Sequence, residues 1–324
     1  MAAKTQVPPH VQIETPTLPA VGVENQLEHI LIRATRDVRP SDRALRFYNW
    51  VGRLPLRLGA VLLLLTSLDA VKVIWQAGIR KRTDTALQVI YGHRQRLLRG
   101  PWTVGDALWQ RSSNCRSVRA RGWFVQEAAH FLLGYRAQER FAGDGHGRKL
   151  VVVSLGSGSA SQLLQGIVDN GFSASDVHAT LVDRDLRALA AGRENARRLG
   201  IGSAVETQER TVGLFLRQVV APKSVDFVEM VGLADYFKDV RLREYLRGIH
   251  AALRSGGLFL GANISSKEEA AYAHGAACWP PMFYRSREKL LEMLEKAGFQ
   301  AIWMGDCGLY TVWVARKERT TLYM

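Results

Sequence analysis

With 324 residues, 47% of them hydrophobic, the chain is long enough to bury one large or two medium cores, which excludes wholesale disorder. Three cysteines (Cys115, Cys278, Cys307) are too few and too widely spaced for a disulfide framework. No Cys or His pair has zinc-ligand spacing, so no metal site and a reducing, cytoplasmic setting are expected. The net charge of +14 is concentrated in residues 1–145, which hold 21 Lys/Arg against 11 Asp/Glu. That half is expected to face phosphate, an acidic partner, anionic lipid or only solvent.

In chain order, residues 1–24 hold four prolines and no apolar run of the signal-peptide type, and are expected to form a flexible tail. Residues 25–145 repeat apolar positions at helical spacing and are expected to form a helical domain. Its most apolar part, Leu58 to Leu68, is 11 residues long and is followed by Asp69 and Lys72. A membrane span needs about 20 apolar residues. A buried helix is therefore expected, or an interfacial one ending in Arg80, Lys81 and Arg82 and making peripheral membrane contact. The stretches "TDTALQVIYGHRQRLL" and "NCRSVRARGWFVQEAAHFLLGY" read as amphipathic helices with Thr83 and Asn114 as N-caps, separated by a turn at Pro101 and Gly105. The glycines of "AGDGHGRK" mark a boundary before a second domain, 146–324.

From there strands alternate with helices. "KLVVVSL", "VHATLVD", "AVETQE", "VDFVEMV" and "SGGLFLGANI" read as five strands, with helices from about Ala160 and over "RDLRALAAGRENARRLG", "RLREYLRGIHAAL" and "SREKLLEMLEKAGF". Asp185 begins the second of these helices, and Ser286 caps the last. "QAIWMGD" and "LYTVWVARK" read as a closing antiparallel hairpin. The pattern predicts an α/β fold: a mostly parallel sheet covered on both faces.

In such a sheet a ligand sits beyond the strand ends beside the first strand. There, in "VVVSLGSGSA", Gly156 and Gly158 let the backbone pass close to a ligand, and Asp183 ends the second strand where it can accept from ribose hydroxyls. A phosphate-cradling loop would require a lysine that "GSGSASQL" lacks. A dinucleotide fingerprint would place glycine where Ser161 stands, and a dehydrogenase would add a substrate domain where this chain ends on its hairpin.

"VVVSLGSGSA", "TLVDRD", "LREYLRGIHAALRSGGLFLGANI" and the terminal "FQAIWMGDCGLYTVWVAR", in this order, resemble the class I S-adenosylmethionine-dependent methyltransferases over about residues 148–317. The resemblance implies a seven-stranded Rossmann-like sheet, S-adenosyl-L-methionine as cofactor, and methyl transfer to a small-molecule acceptor, O, N or a carboxylate. It implies cofactor contacts from Ser154, Gly156, Ser157, Gly158, Asp183 and Arg184, with Glu209, Arg210 and Thr211 competing on the adenine side and Glu209 and Thr211 ranked first, and Glu229 and Met230 at the end of the fourth strand. Ser154 departs from the family pattern, which has an acid there for the methionine ammonium, and Ala160 replaces a glycine; Glu229 or Asp235 is the candidate substitute. "GLADY" and "WPPMFYR" are also similar to bacterial enzymes linked to fatty-acid methyl ester formation.

The acceptor pocket is expected between the fourth strand, the long loop "SSKEEAAYAHGAACWPPMFYR" and the helical domain, which acts as substrate lid or homodimerisation element. His274 leads as general base, then Tyr236 and Tyr284, with Asp235, Trp279, Phe283 and Arg285 as acceptor contacts. An Asn/Asp-Pro-Pro-aromatic segment after the fourth strand is absent, and no RNA-binding module precedes the domain, which argues against nucleic acid as partner. An RNA methyltransferase using the basic half, a non-catalytic binding module and an NAD-dependent oxidoreductase are the alternatives.

Overall fold

The computed structural model describes residues 20–38, 42–55, 58–80, 83–92, 104–141 and 149–318. Seven strands form: β1 (Leu150–Leu155), β2 (Val177–Asp183), β3 (Val205–Glu209), β4 (Val225–Val231), β5 (Leu253–Ile264), β6 (Gln300–Cys307) and β7 (Tyr310–Arg316). They make one sheet in the order β3-β2-β1-β4-β5-β7-β6. β7 runs antiparallel to both of its neighbours, and the other pairings are parallel. The Val-rich runs of β1 and β4 are covered on both faces, as the centre of a parallel sheet requires. The α/β class and the closing hairpin are those expected.

One face packs against helices Ala20–Thr35, Ser113–Phe141, Ser161–Asp169 and Leu186–Arg198, around Phe124, Leu132 and Ile167. The other packs against Val212–Gln218, Asp239–Ala252 and Arg287–Lys296, around Phe215, Ile249 and Met293. A third cluster joins the helices between Asp42 and Arg111 to Tyr272 and Tyr310.

The 29-residue helix Ser113–Phe141 ties the N-terminal half to the sheet. Its Arg121 lies 3.8 Å from Asp235, just beyond the carboxyl end of β4, and its Arg136 lies 3.5 Å from Asp226, near the start of that strand. Fifteen residues at about 1.5 Å each span roughly 22 Å. The helix therefore runs back along β4 and is pinned at both ends. The boundary expected at 142–149 falls almost wholly outside the described residues, but the helix before it and the sheet after it share one core.

Three local expectations change. Asn114 does not cap its helix: the buried Glu269, from the loop after β5, accepts from the Ser113 N–H (2.9 Å), the Asn114 N–H (3.0 Å) and Asn114 Nδ2 (2.9 Å). A carboxylate at a helix N-terminus satisfies free donors and meets the positive end of the dipole. Gly105 lies inside a helix, Val104–Arg111, because a Cβ there would strike Thr66 O at 1.8 Å; the glycine allows a close crossing and makes no turn. Pro101 lies outside the described residues. The Leu58–Leu68 run breaks at Ser67, whose hydroxyl caps the helix Leu68–Val73 by accepting from the Ala70 N–H. No helix among the described residues is long and apolar enough to cross a membrane.

Candidate active site

A cleft of about 1030 Å³ opens beyond the carboxyl ends of β1, β2 and β4, where the strand order reverses between β1 and β4. Its floor is the turn after β1. Gly156 (φ 67°), Gly158 (φ 52°) and Ala160 (φ 48°) are all left-handed there. A Cβ on Gly156 would meet Leu233 Cδ2 at 2.5 Å and would sit at a left-handed φ, so a side chain there would both displace Leu233 and strain the backbone. The Gly156 and Ser157 amides donate to Val182 O, which fastens the turn to β2.

Asp183 completes the floor. Its Oδ2 accepts from the Gly158 N–H (2.9 Å) and its Oδ1 from the Asp185 N–H (3.0 Å). An ionised carboxylate has about four acceptor positions. Two therefore remain for a diol, and the carboxylate is oriented before any ligand arrives. Arg184, Glu209 and Thr211 line the same end of the cleft; Thr211 Oγ1 also caps the helix Val212–Gln218 by accepting from the Leu214 N–H.

Ser154 and Glu229 are register partners on the adjacent parallel strands β1 and β4. Ser154 Oγ donates to Glu229 Oε2 at 2.5 Å, and Glu229 lines the cleft. A carboxylate thus stands beside position 154 on the next strand, held by the serine. Burial raises the Glu229 carboxyl to about 7, against the opposing effects of Ser154, the Val231 amide and Arg121. Met230 is the next residue along, so the two-residue period of β4 turns it to the opposite face, where it is fully buried in the core. Its side chain does not line the cleft, contrary to expectation.

The wall above is built by the N-terminal half. Leu87, Gln88 and Tyr91, from the helix Thr83–Tyr91, face the cleft together with Arg121. Gln88 Nε2 donates to Ser159 Oγ at 2.7 Å, which joins that helix directly to the glycine turn. Arg121 is 3% exposed and stacks over the Tyr310 ring at 4.2 Å. Burial opposes its charge, but Tyr310, Tyr91 and Asp235 more than offset that, and it stays a cation. Nothing in the sequence singled out Arg121, the third arginine of "CRSVRAR", with Val118 and Val125 one turn away on either side. Phe237, Tyr245 and Pro280 also line the cleft; Pro280 falls in the long loop expected to border the acceptor pocket, but none of the three was singled out as a contact.

Of the residues proposed for chemistry, only Tyr236 reaches the cleft. Its hydroxyl accepts from Trp279 Nε1 (2.9 Å), and burial, with Asp235 nearby, raises its pKa, so it is a proton donor and not a base. His274 and Tyr284 stand behind the wall: His274 Nε2 and Tyr284 Oη are 2.9 Å apart, and Nδ1 is 3.2 Å from Trp279 O. The His274 ring is spent on holding the loop, so the structure does not bring the expected base to the cleft. Asp235 accepts from the Ile264 N–H at 2.6 Å and faces Arg121. Arg285 is buried against Asp239, Asn263 Oδ1 and the carbonyls of Ala234 and Phe237, so it braces the loop after β4. Trp279 and the exposed Phe283 also lie off the cleft lining. Asp235, Trp279 and Arg285 brace the wall from behind, and Phe283 faces outward.

The donor set fits an adenosyl ligand carrying an amino-acid tail: a glycine turn that a Cβ would fill, an oriented carboxylate ending β2, and a buried carboxylate at the end of β4. No cluster of metal-binding side chains occurs among the described residues. No protein-family model and no curated protein matches the sequence. Solved structures do. The chain resembles a candidate exported protein from Bordetella parapertussis at 16% identity over 90% of this chain and 97% of that one, with a TM-score of 0.57. It also resembles the carbon methyltransferase DszA at 14% identity over 81% and 68% of the two chains, with a TM-score of 0.51. The fold is that of the class I S-adenosylmethionine-dependent methyltransferases.

Proposed function

We propose that this protein is a methyltransferase that binds S-adenosylmethionine in the cleft above β1, β2 and β4 and alkylates a small-molecule acceptor. The observation that carries the reading is the glycine turn locked onto Asp183 beside the Ser154–Glu229 pair. When bound, the cofactor supplies a methyl group on a positively charged sulfur. Asp183 holds the ribose hydroxyls with its free acceptor positions, and Glu209 and Thr211 flank the base. Glu229, as the anion, balances the ammonium of the methionine tail.

The acceptor lies between this floor and the wall of Gln88, Tyr91, Arg121, Tyr236 and Phe237. The helical N-terminal half therefore serves as the acceptor's cover. Tyr236 donates its hydroxyl hydrogen to orient the acceptor, and Arg121 favours one that bears negative charge, such as a carboxylate, which needs no base to be methylated. Holding such a group in attack geometry is worth about 7–11 kcal/mol in well-oriented reactions. The unpaired state of all three cysteines accords with a cytoplasmic enzyme.

The test is calorimetric titration with S-adenosylhomocysteine, with NADH in parallel. Micromolar binding is expected for the first only. Asp183→Ala should weaken it about ten- to a hundredfold, since hydrogen bonds to a charged group are worth roughly 1.5–3 kcal/mol. Binding of NADH in place of S-adenosylhomocysteine would overturn the assignment.

A further inference from the structure

The helix Leu58–Thr66 is packed inside out for a helix facing water. Among its described side chains it buries only its two smallest residues, Gly59 and Ala60, and exposes Leu62 and Leu65, the latter to 80%. The inward face has a structural reason: a Cβ on Gly59 would lie 2.2 Å from Val51 O, so the helices can cross only at a glycine. Nothing in the fold requires leucines on the outward face. The elements on either side in sequence also expose large apolar side chains, Trp50, Leu68, Trp75 and Ile79. Isolated exposed apolar residues are ordinary, but a run of this kind marks a docking face.

The charge along this segment is mostly positive. From Asp42 to Arg80 the sequence has six Lys/Arg and two acids, Asp42 and Asp69. Asp69 is buried and accepts from Gln110 Nε2 at 2.9 Å, while Arg43, Arg46, Arg53, Lys72 and Arg80 are exposed. The Arg80 guanidinium lies 5.3 Å from the Trp75 ring centroid, a cation beside an amphipathic aromatic. A second copy of this face would set two basic patches against each other, because a two-fold contact uses the same surface on both subunits. An anionic bilayer meets both features at once, with acyl chains for the leucines and headgroups for the cations.

We propose that this face docks peripherally on an anionic lipid surface, lying on it and not through it. The inference stands on the exposed helices alone and does not depend on methyl transfer. It would place the cleft wall formed by Gln88 and Tyr91 within one helix of the membrane, since Thr83–Tyr91 follows the docking segment directly.

The test is flotation of the full chain with vesicles of phosphatidylcholine alone or mixed with phosphatidylglycerol. The protein is expected to float with the mixed vesicles and to be released by raised salt. Leu62→Glu/Leu65→Glu should cut the bound fraction about tenfold or more, since each buried leucine contributes a similar factor. Its thermal midpoint and its affinity for S-adenosylhomocysteine should not change. Arg46→Glu/Arg53→Glu, which leaves the leucines in place, should also lose binding to the mixed vesicles. Three results would overturn the proposal: no flotation with either vesicle, equal flotation with both, or a dimer that the leucine variant dissociates while the parent ignores vesicles.

Discussion

Glu229 shows how one strand can supply what its neighbour lacks. Because β1 and β4 are parallel and in register, position 229 lies beside position 154, and a carboxyl group stands next to the serine at 154. Its carboxyl titrates near 7 because burial disfavours the anion. The folded protein thus holds a proton there between about pH 4.5 and 7 that the unfolded chain has released. The stability contributed by this neutral carboxyl is fully present below 4.5 and is lost as the pH climbs through about 7. The ligand-free thermal midpoint should fall across that window, and Glu229→Gln should remove this part of the fall. Ligand affinity should move the other way. S-adenosylhomocysteine should bind more tightly as the pH passes upward through about 7, and Glu229→Gln should bind weakly with little dependence on pH. Calorimetry at several pH values separates these outcomes, and unchanged affinity in the Gln variant would remove Glu229 from the site. The serine at 154 was legible in the sequence as a departure, and Glu229 as one of two candidates. The register that decides between them was not, because it pairs residues 75 positions apart.

At the scale of elements, agreement with the sequence follows the range of the interaction. Asp185 and Ser286 cap their helices through amides two and three residues away, so their role could be read from the order of residues. Ser112 also caps Ser113–Phe141 locally, accepting from the Cys115 N–H at 3.3 Å, but the first two amides of that helix are held by Glu269, more than 150 residues along the chain, and no local pattern could announce that partner. Glu269→Ala should cost about 1–3 kcal/mol by chemical denaturation, because it leaves buried helix-end donors unpaired. Glu269→Gln should recover part of this. The same loop explains His274: it falls in a stretch rich in aromatic residues where a base would be useful, but its ring bonds tie it to Tyr284 and Trp279.

For the whole molecule, the N-terminal half is both a wall of the cleft and a cover for the sheet. Phe124, Leu132 and Leu133 are fully buried in the same core as Val152 and Ile167. A fragment restricted to residues 149–318 would expose that face of the sheet. It is therefore expected to show no cooperative thermal transition, whereas the full chain unfolds cooperatively. A sharp, concentration-independent transition in the fragment would mean that the sheet stands without its long helix.

The sequence by itself determined the α/β class, the seven strands and their hairpin, the glycine turn and the carboxylate at the end of β2. All of these rest on contacts between near neighbours or on the period of a single element. Tertiary structure alone decided that Arg121, Tyr91 and Gln88 close the cleft, that Glu229 lies beside Ser154 and lines the cleft, that Met230 turns away, and that His274 braces a loop. It also decided which way Leu58–Thr66 faces. These outcomes depend on strand register and on where helices cross, and that information is shared between distant segments and held by neither alone.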